Sequence, residues 1–187
     1  MPTDLDGVVV VEPETHPDER GFFRESFRTS AFEEAGIGPF VQWNVSRSRR
    51  GVVRGIHFQR EPAGIGKLVS VAHGRVLDVA VDVRPSSPTF GRWVAEELSA
   101  DDGRMLFIPR GFGHGFCALD EDTVVSYLMT GTYSKEHDAG VRWDDPAIGI
   151  DWPVSEAIVS DKDRGLPTLA EFGASDGTTE GSKEANA

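Results

Sequence analysis

Short apolar runs, each of strand length and each closed by a turn signal, constrain this chain more than any other feature. They fall at residues 8–11, 22–27, 41–45, 52–58, 67–72, 76–83, 93–98, 105–108, 115–119 and 124–129, with Gly, Pro, Asp and Ser between them. Runs of this length that alternate or stay apolar throughout read as β-strands. Asp101-Asp-Gly103 and Arg110-Gly111 read as turns. Helical patterns are confined to residues 29–36, with Thr29 or Ser30 as N-cap and Gly36 as the stop, and to residues 154–159. Many short strands at regular spacing predict an all-β sandwich or barrel, with a jelly roll the favoured form. One domain is expected over residues 1–171. The Gly, Ser, Thr, Glu and Lys content of residues 172–187 predicts a disordered tail.

Charge narrows the partners. A net charge of −12 opposes phosphate-rich surfaces, so neither nucleic acid nor an anionic membrane is an expected partner. A small anionic substrate stays open, because a few cations gathered in one cleft reverse the local field. The single Cys117 excludes an internal disulfide and a cysteine-rich zinc site, and its apolar surroundings predict a buried, inert thiol. There is no membrane-length apolar stretch and no signal-peptide pattern at residues 1–6, so a cytoplasmic location is expected.

The segment Gly51-Val-Val-Arg-Gly-Ile-His-Phe-Gln59 carries the strongest chemical signal. Alternate residues of a strand share a face, so Arg54 and His57 should point to opposite sides. For both to reach one cavity, a bulge or kink at Gly55 must re-aim one of them. The plainer reading is a core histidine bonded to a carbonyl, with an arginine on the rim. Lys67, His114, Tyr127 and Asp163, in strand-like or turn contexts downstream, weigh against it.

Nine segments in fixed order carry a resemblance. They are Asp18-Glu-Arg-Gly-Phe-Phe-Arg-Glu25, Gln42-Trp-Asn-Val-Ser46, Arg54-Gly-Ile-His-Phe-Gln59, Lys67-Leu-Val69, Asp78-Val-Ala-Val-Asp-Val-Arg84, Ser87-Pro-Thr-Phe-Gly91, Ile108-Pro-Arg-Gly-Phe-Gly-His-Gly-Phe116, Trp143-Asp-Asp-Pro146 and Ser160-Asp-Lys-Asp163. Over residues 8–169 the chain resembles the dTDP-4-dehydrorhamnose 3,5-epimerases. The resemblance implies a cupin-type jelly roll, usually a homodimer, with no metal or organic cofactor. It also implies a dTDP-4-keto-6-deoxyhexose substrate inverted at carbons 3 and 5. Gly113, where the family commonly has alanine, departs from its pattern, as do residues 60–66 and 128–132.

That chemistry makes demands the residues can meet. A proton next to a ketone needs a base, a donor to the enolate oxygen and a shielded site. Inversion adds a proton donor on the opposite ring face. His57 suits the base, because a histidine ordinarily titrates near neutrality. Asp163 would fix its tautomer and stabilise the imidazolium. Lys67 would hold the enolate as a point charge. By the resemblance, Tyr127 takes the proton-donor position and Tyr133 lines the sugar pocket. Arg54 matches a diphosphate-binding arginine, a task suited to a guanidinium fork. Gln42, Asn44, Ser46, His114 and Lys162 match further substrate-binding positions. Arg20, Phe23 and Glu25 match nucleotide contacts supplied by the neighbouring subunit. Phe23 and Glu25 share one strand face, where a ring can stack on a pyrimidine and a carboxylate can accept its imide N–H.

Three other readings compete. A metal-dependent cupin oxygenase needs clustered ligands, and His57, His73 and His114 stand apart with no H-x-H. A non-catalytic sugar-binding cupin has no use for His57, Lys67, Tyr127 and Asp163 together. A carbon-3-only epimerase, or a ketoisomerase on a similar scaffold, would differ in sugar tilt and pocket depth.

Overall fold

The computed structural model describes residues 1–180. In chain order the elements are β1 (Val9–Val11), β2 (Thr15–Asp18), β3 (Gly21–Arg24), α1 (Thr29–Glu34), β4 (Gln42–Ser48), β5 (Val53–Gln59), β6 (Lys67–His73), β7 (Arg75–Asp82), β8 (Trp93–Ser99), β9 (Met105–Ile108), β10 (Phe112–Ala118), β11 (Thr123–Met129), β12 (Asp138–Gly140), α2 (Asp161–Arg164) and α3 (Leu169–Glu180). One five-stranded sheet runs β1-β9-β6-β11-β4 and a second runs β12-β5-β10-β7-β8, while β2 and β3 form a separate hairpin. Every strand pairing in the two large sheets is antiparallel. From β4 onward the chain changes sheet at almost every connection, which is the winding of a jelly roll.

The inner faces meet in a core of Val69, Val71, Leu106 and Val125 from the first sheet and Val76, Ala80, Phe112 and Phe116 from the second. The outer face of the second sheet is covered too. Val53, Val79, Val81 and Cys117 pack there against Val141, Ile148, Trp152, Leu169 and Phe172 of the C-terminal segment. Burial of each large apolar side chain contributes about 1.5–3 kcal/mol. Double coverage explains why β7 and β10 read as nearly continuous apolar runs, β10 being buried along its whole length. The same C-terminal segment brings α2 against β5. Cys117 is wholly buried, and burial pushes its thiol up to about 11, so it is protonated and inert at neutral pH.

The structure departs from the sequence reading in several places. Residues 154–159 are not helical. Ile158 instead bridges Val52 in parallel, and its N–H and carbonyl pair with Gly51 and Val53. The β-branched Val154, Ile158 and Val159 suit that extended course. Helix α1 forms, but Arg28 occupies its N-cap and no side chain caps it. Gly36 ends the turn at φ +72°, as expected. The tail expected from residue 172 begins inside α3, where the Phe172 ring meets Phe58 edge-on at 4.9 Å. Residues 181–187 of that expectation lie outside the described residues. Among the described residues, no helix is long and apolar enough to cross a membrane.

Candidate active site

A one-residue bulge creates the site. Across the β5–β10 pair, His114 faces His57 and Phe116 faces Arg54. Two steps along β10 therefore span three along β5, and β5 carries an extra residue. Gly55, at φ +137°, supplies it, and a Cβ there would stand 2.6 Å from the Cα of Gly115. Only glycine permits both the conformation and the approach. Alternation skips a beat, so Arg54 and His57 face the same cavity of about 560 Å³ between the sheets.

His57 and Asp163 form a dyad. The imidazole Nε2 is 2.9 Å from Asp163 Oδ1. Asp163 is only 4% exposed, and its other oxygen accepts the Gly55 N–H at 3.3 Å. The Ser160 hydroxyl caps α2 by accepting the Asp163 N–H at 3.1 Å, which fixes the backbone of the acid. Burial works to raise the Asp163 carboxyl, but the His57 bond, its charge and the Gly55 N–H outweigh it and hold the group below the ordinary range. The carboxylate takes Nε2–H, leaving the lone pair of the other ring nitrogen to accept a proton.

Lys67 rises from the opposite sheet. Its ammonium lies 3.4 Å from the His57 carbonyl and 3.4 Å from His114 Nδ1. Burial lowers its pKa to about 8, against the pull of Asp78 and Asp138. It therefore stays largely protonated at neutral pH. His114 is buried, with Nε2 2.8 Å from Asp78 Oδ1. Desolvation keeps His114 below its ordinary pKa, the Asp78 charge notwithstanding. Neutral His114 thus donates Nε2–H to Asp78 and offers Nδ1 to the ammonium. Asp78 escaped the sequence reading as a site residue. An acid set between Leu77 and Val79 inside β7 was the available signal.

The Tyr127 ring stands on β11, 5.9 Å from the Lys67 ammonium and edge-on to His114 at 6.3 Å. Tyr133 donates its hydroxyl to Asp138 Oδ2 at 3.1 Å, and the same oxygen accepts from Lys162. Asp138 is the second residue the sequence did not disclose, since it lies in a polar stretch without pattern. Partial desolvation and the Asp138 carboxylate raise the Tyr133 phenol, while Asp138 also raises the Lys162 ammonium. Arg54 donates to the Ser48 hydroxyl and the Arg47 carbonyl at 3.1 and 3.2 Å. Asn44 and Ser46 line the cavity, and the buried Ser46 Oγ makes no hydrogen bond. Gln42 does not line it. Its side-chain Oε1 accepts the Tyr133 N–H at 2.9 Å, so it supports the wall.

The atypical stretches help shape the chamber, contributing Ile65 and Met129 to its walls. Gly113 is matched to Ile56, because a Cβ there would fall 2.4 Å from Ile56 Cγ2. Arg20, Phe23 and Glu25 are not brought to the cavity. They lie on or beside the β2–β3 hairpin, where Arg20 pairs with Asp18, Glu25 pairs with Arg28, and Phe23 is 69% exposed. Among the described residues, no three His, Cys, Asp or Glu side chains are grouped to hold a metal ion.

A family model described as dTDP-4-dehydrorhamnose 3,5-epimerase matches residues 2–171. The dTDP-4-dehydrorhamnose 3,5-epimerase of Methanothermobacter thermautotrophicus is 50% identical over 173 residues, covering 90% of this chain and 93% of the relative. The crystal structure of the Bacillus anthracis dTDP-4-dehydrorhamnose 3,5-epimerase, with TDP and PPi bound, superposes with a TM-score of 0.87 at 45% identity, over 90% of this chain and 97% of that one. The Legionella pneumophila dTDP-6-deoxy-D-glucose-3,5-epimerase, in complex with dTDP-4-keto-L-rhamnose, gives 0.86 at 44% identity, over 91% and 94%.

Proposed function

The chain belongs to the dTDP-4-dehydrorhamnose 3,5-epimerase family, and on that premise we propose how its cavity inverts carbons 3 and 5 of a dTDP-4-keto-6-deoxyhexose. It is an isomerase of cupin-type jelly-roll fold. One observation carries the mechanism: His57 on β5, paired with Asp163 of α2, and Tyr127 on β11 of the other sheet line the same cavity, with the Lys67 ammonium near both.

His57 removes the proton from the carbon next to the ketone, and the C–H electron pair moves into the enolate. The negative charge gathers on the ketone oxygen, where the Lys67 ammonium holds it in a partly desolvated site. The Asp163 carboxylate balances the imidazolium as it forms. Tyr127 delivers a proton from the far wall, so the carbon closes with inverted configuration. The same sequence serves the second carbon. Arg54 and Lys162 are the cations we assign to the diphosphate, with Asn44 and Ser46 offering neutral polar contacts.

The working unit we propose is a homodimer. Strand β4 is an edge, and its residues alternate: Asn44 and Ser46 face the cavity, while Trp43 and Val45 face out, Trp43 being 68% exposed, and Val41 just before the strand is exposed too. An apolar stripe on a free edge favours coverage by a second copy. Arg20, Phe23 and Glu25 of that copy would then complete the nucleotide site.

With dTDP-4-keto-6-deoxyglucose in heavy water, the product should carry one deuterium at carbon 3 and one at carbon 5, with both centres inverted. Nuclear magnetic resonance of the product reads each position. Deuterium at carbon 3 alone would make the enzyme a carbon-3 epimerase. No incorporation at either carbon would end this reading.

A further inference from the structure

Arg24 is the last residue of β3, and it does not face the cavity. Its guanidinium spans two parts of the fold. Nε donates to the Thr15 hydroxyl of β2 at 2.8 Å, within the hairpin. Nη1 and Nη2 donate to the carbonyls of Ala100 and Asp101 at 3.3 and 2.7 Å, in the turn between β8 and β9. Among the described residues, the hydrogen bonds that tie the β2–β3 hairpin to the large sheets are those of Arg24.

The turn is built to receive the guanidinium. Gly103 adopts φ +67°, and a Cβ there would stand 1.8 Å from Arg24 Nη1. The group therefore lies flat on the bare face of the glycine. Ser99 organises the same turn, its hydroxyl accepting the Asp101 N–H at 3.0 Å. On the hairpin side, the Phe22 ring lies 4.5 Å from the guanidinium carbon. Three donor bonds, a ring contact and a glycine seat remove most of the freedom of a long side chain.

We propose that Arg24 is a positioning residue for nucleotide binding. It clamps the hairpin to the β8–β9 turn, and so presents the exposed Phe23 and Arg20 in one fixed orientation. A two-stranded hairpin is at best marginally stable by itself. Without the clamp, its ordering cost falls on the binding step and lowers affinity, while chemistry in the bound complex is untouched. The inference rests on the proposed reading that this hairpin completes the nucleotide site of a second copy.

The test uses the full chain, with thymidine diphosphate as the probe. Arg24→Ala should raise the Kd for thymidine diphosphate, and the KM for substrate, roughly tenfold with kcat within about twofold. Arg24→Lys, which can reach one carbonyl but not both, should fall between. Gly103→Ala attacks the same contact from the other side and should shift Kd in the same direction. In a Phe23→Ala background, Arg24→Ala should add less than about twofold, because the two act through one element. If Phe23→Ala weakens binding and Arg24→Ala does not, the clamp is wrong and the hairpin reading stands. If Phe23→Ala is also silent, the hairpin reading itself fails. A fall in kcat with unchanged Kd would likewise overturn the clamp.

Discussion

Replacing His57 with asparagine should lower kcat by about 10² to 10⁴, the usual worth of a positioned general base. Asparagine keeps a planar polar group beside Asp163, whose oxygen now lies 2.9 Å from the ring nitrogen. Folding should therefore survive, and Kd for thymidine diphosphate should hold. One base is proposed for both carbons, so deuterium entry at carbon 3 and at carbon 5 should fall together. Proton exchange read by nuclear magnetic resonance gives both rates in one sample. Exchange persisting at wild-type rate at either carbon would require a second base.

Asp163→Asn should cost nearly as much, about 10² to 10⁴ in kcat, with KM little changed. The loss has two sources. An asparagine amide can present N–H to Nε2, which selects the tautomer whose other nitrogen is already protonated and cannot act as base. The charge that balances the imidazolium is lost as well. The substitution also has a signature in stability. Asp163 is held below the ordinary carboxylate range in the fold by His57 and the Gly55 N–H, against the cost of burial. Its contribution to stability is complete above the unfolded carboxyl pKa of about 3.9 and is lost as pH falls through the lower folded value. The variant should melt below wild type at neutral pH, and the gap should narrow in strong acid. A kcat within tenfold of wild type would remove Asp163 from catalysis.

Much of the site was written locally in the chain. Arg54 and His57, three apart with a glycine between, demand a bulge if they are to share a cavity, and β5 has that bulge at Gly55. The strand runs were legible because the doubly covered second sheet needs continuous apolar residues and the edge strand β4 needs alternation. Other features depend on distant contacts. The stretch at 154–159 looked helical on local grounds, yet its backbone partners are Gly51 and Val53, about a hundred positions away in sequence. Strand β12 has three residues and no apolar period, so its pairing with β5, and with it the place of Asp138, could not be read. The Asp163 partnership with His57 needed the family likeness, because 106 positions separate them and only the covering C-terminal segment brings them together.

Tyr127→Phe in heavy water tests the two-wall arrangement most directly. Only a hydroxyl is removed, so ring packing against the Lys67 ammonium is kept. His57 can still take the proton, and Lys67 can still hold the enolate. The donor on the far wall is gone, and the intermediate must recover a proton from His57. Deuterium should therefore enter at carbon 3 or carbon 5 with configuration retained, while inversion falls by about 10² or more. Inversion of both carbons at near wild-type rate would contradict the arrangement and pass the donor's part to another group, with Tyr133 the first to examine.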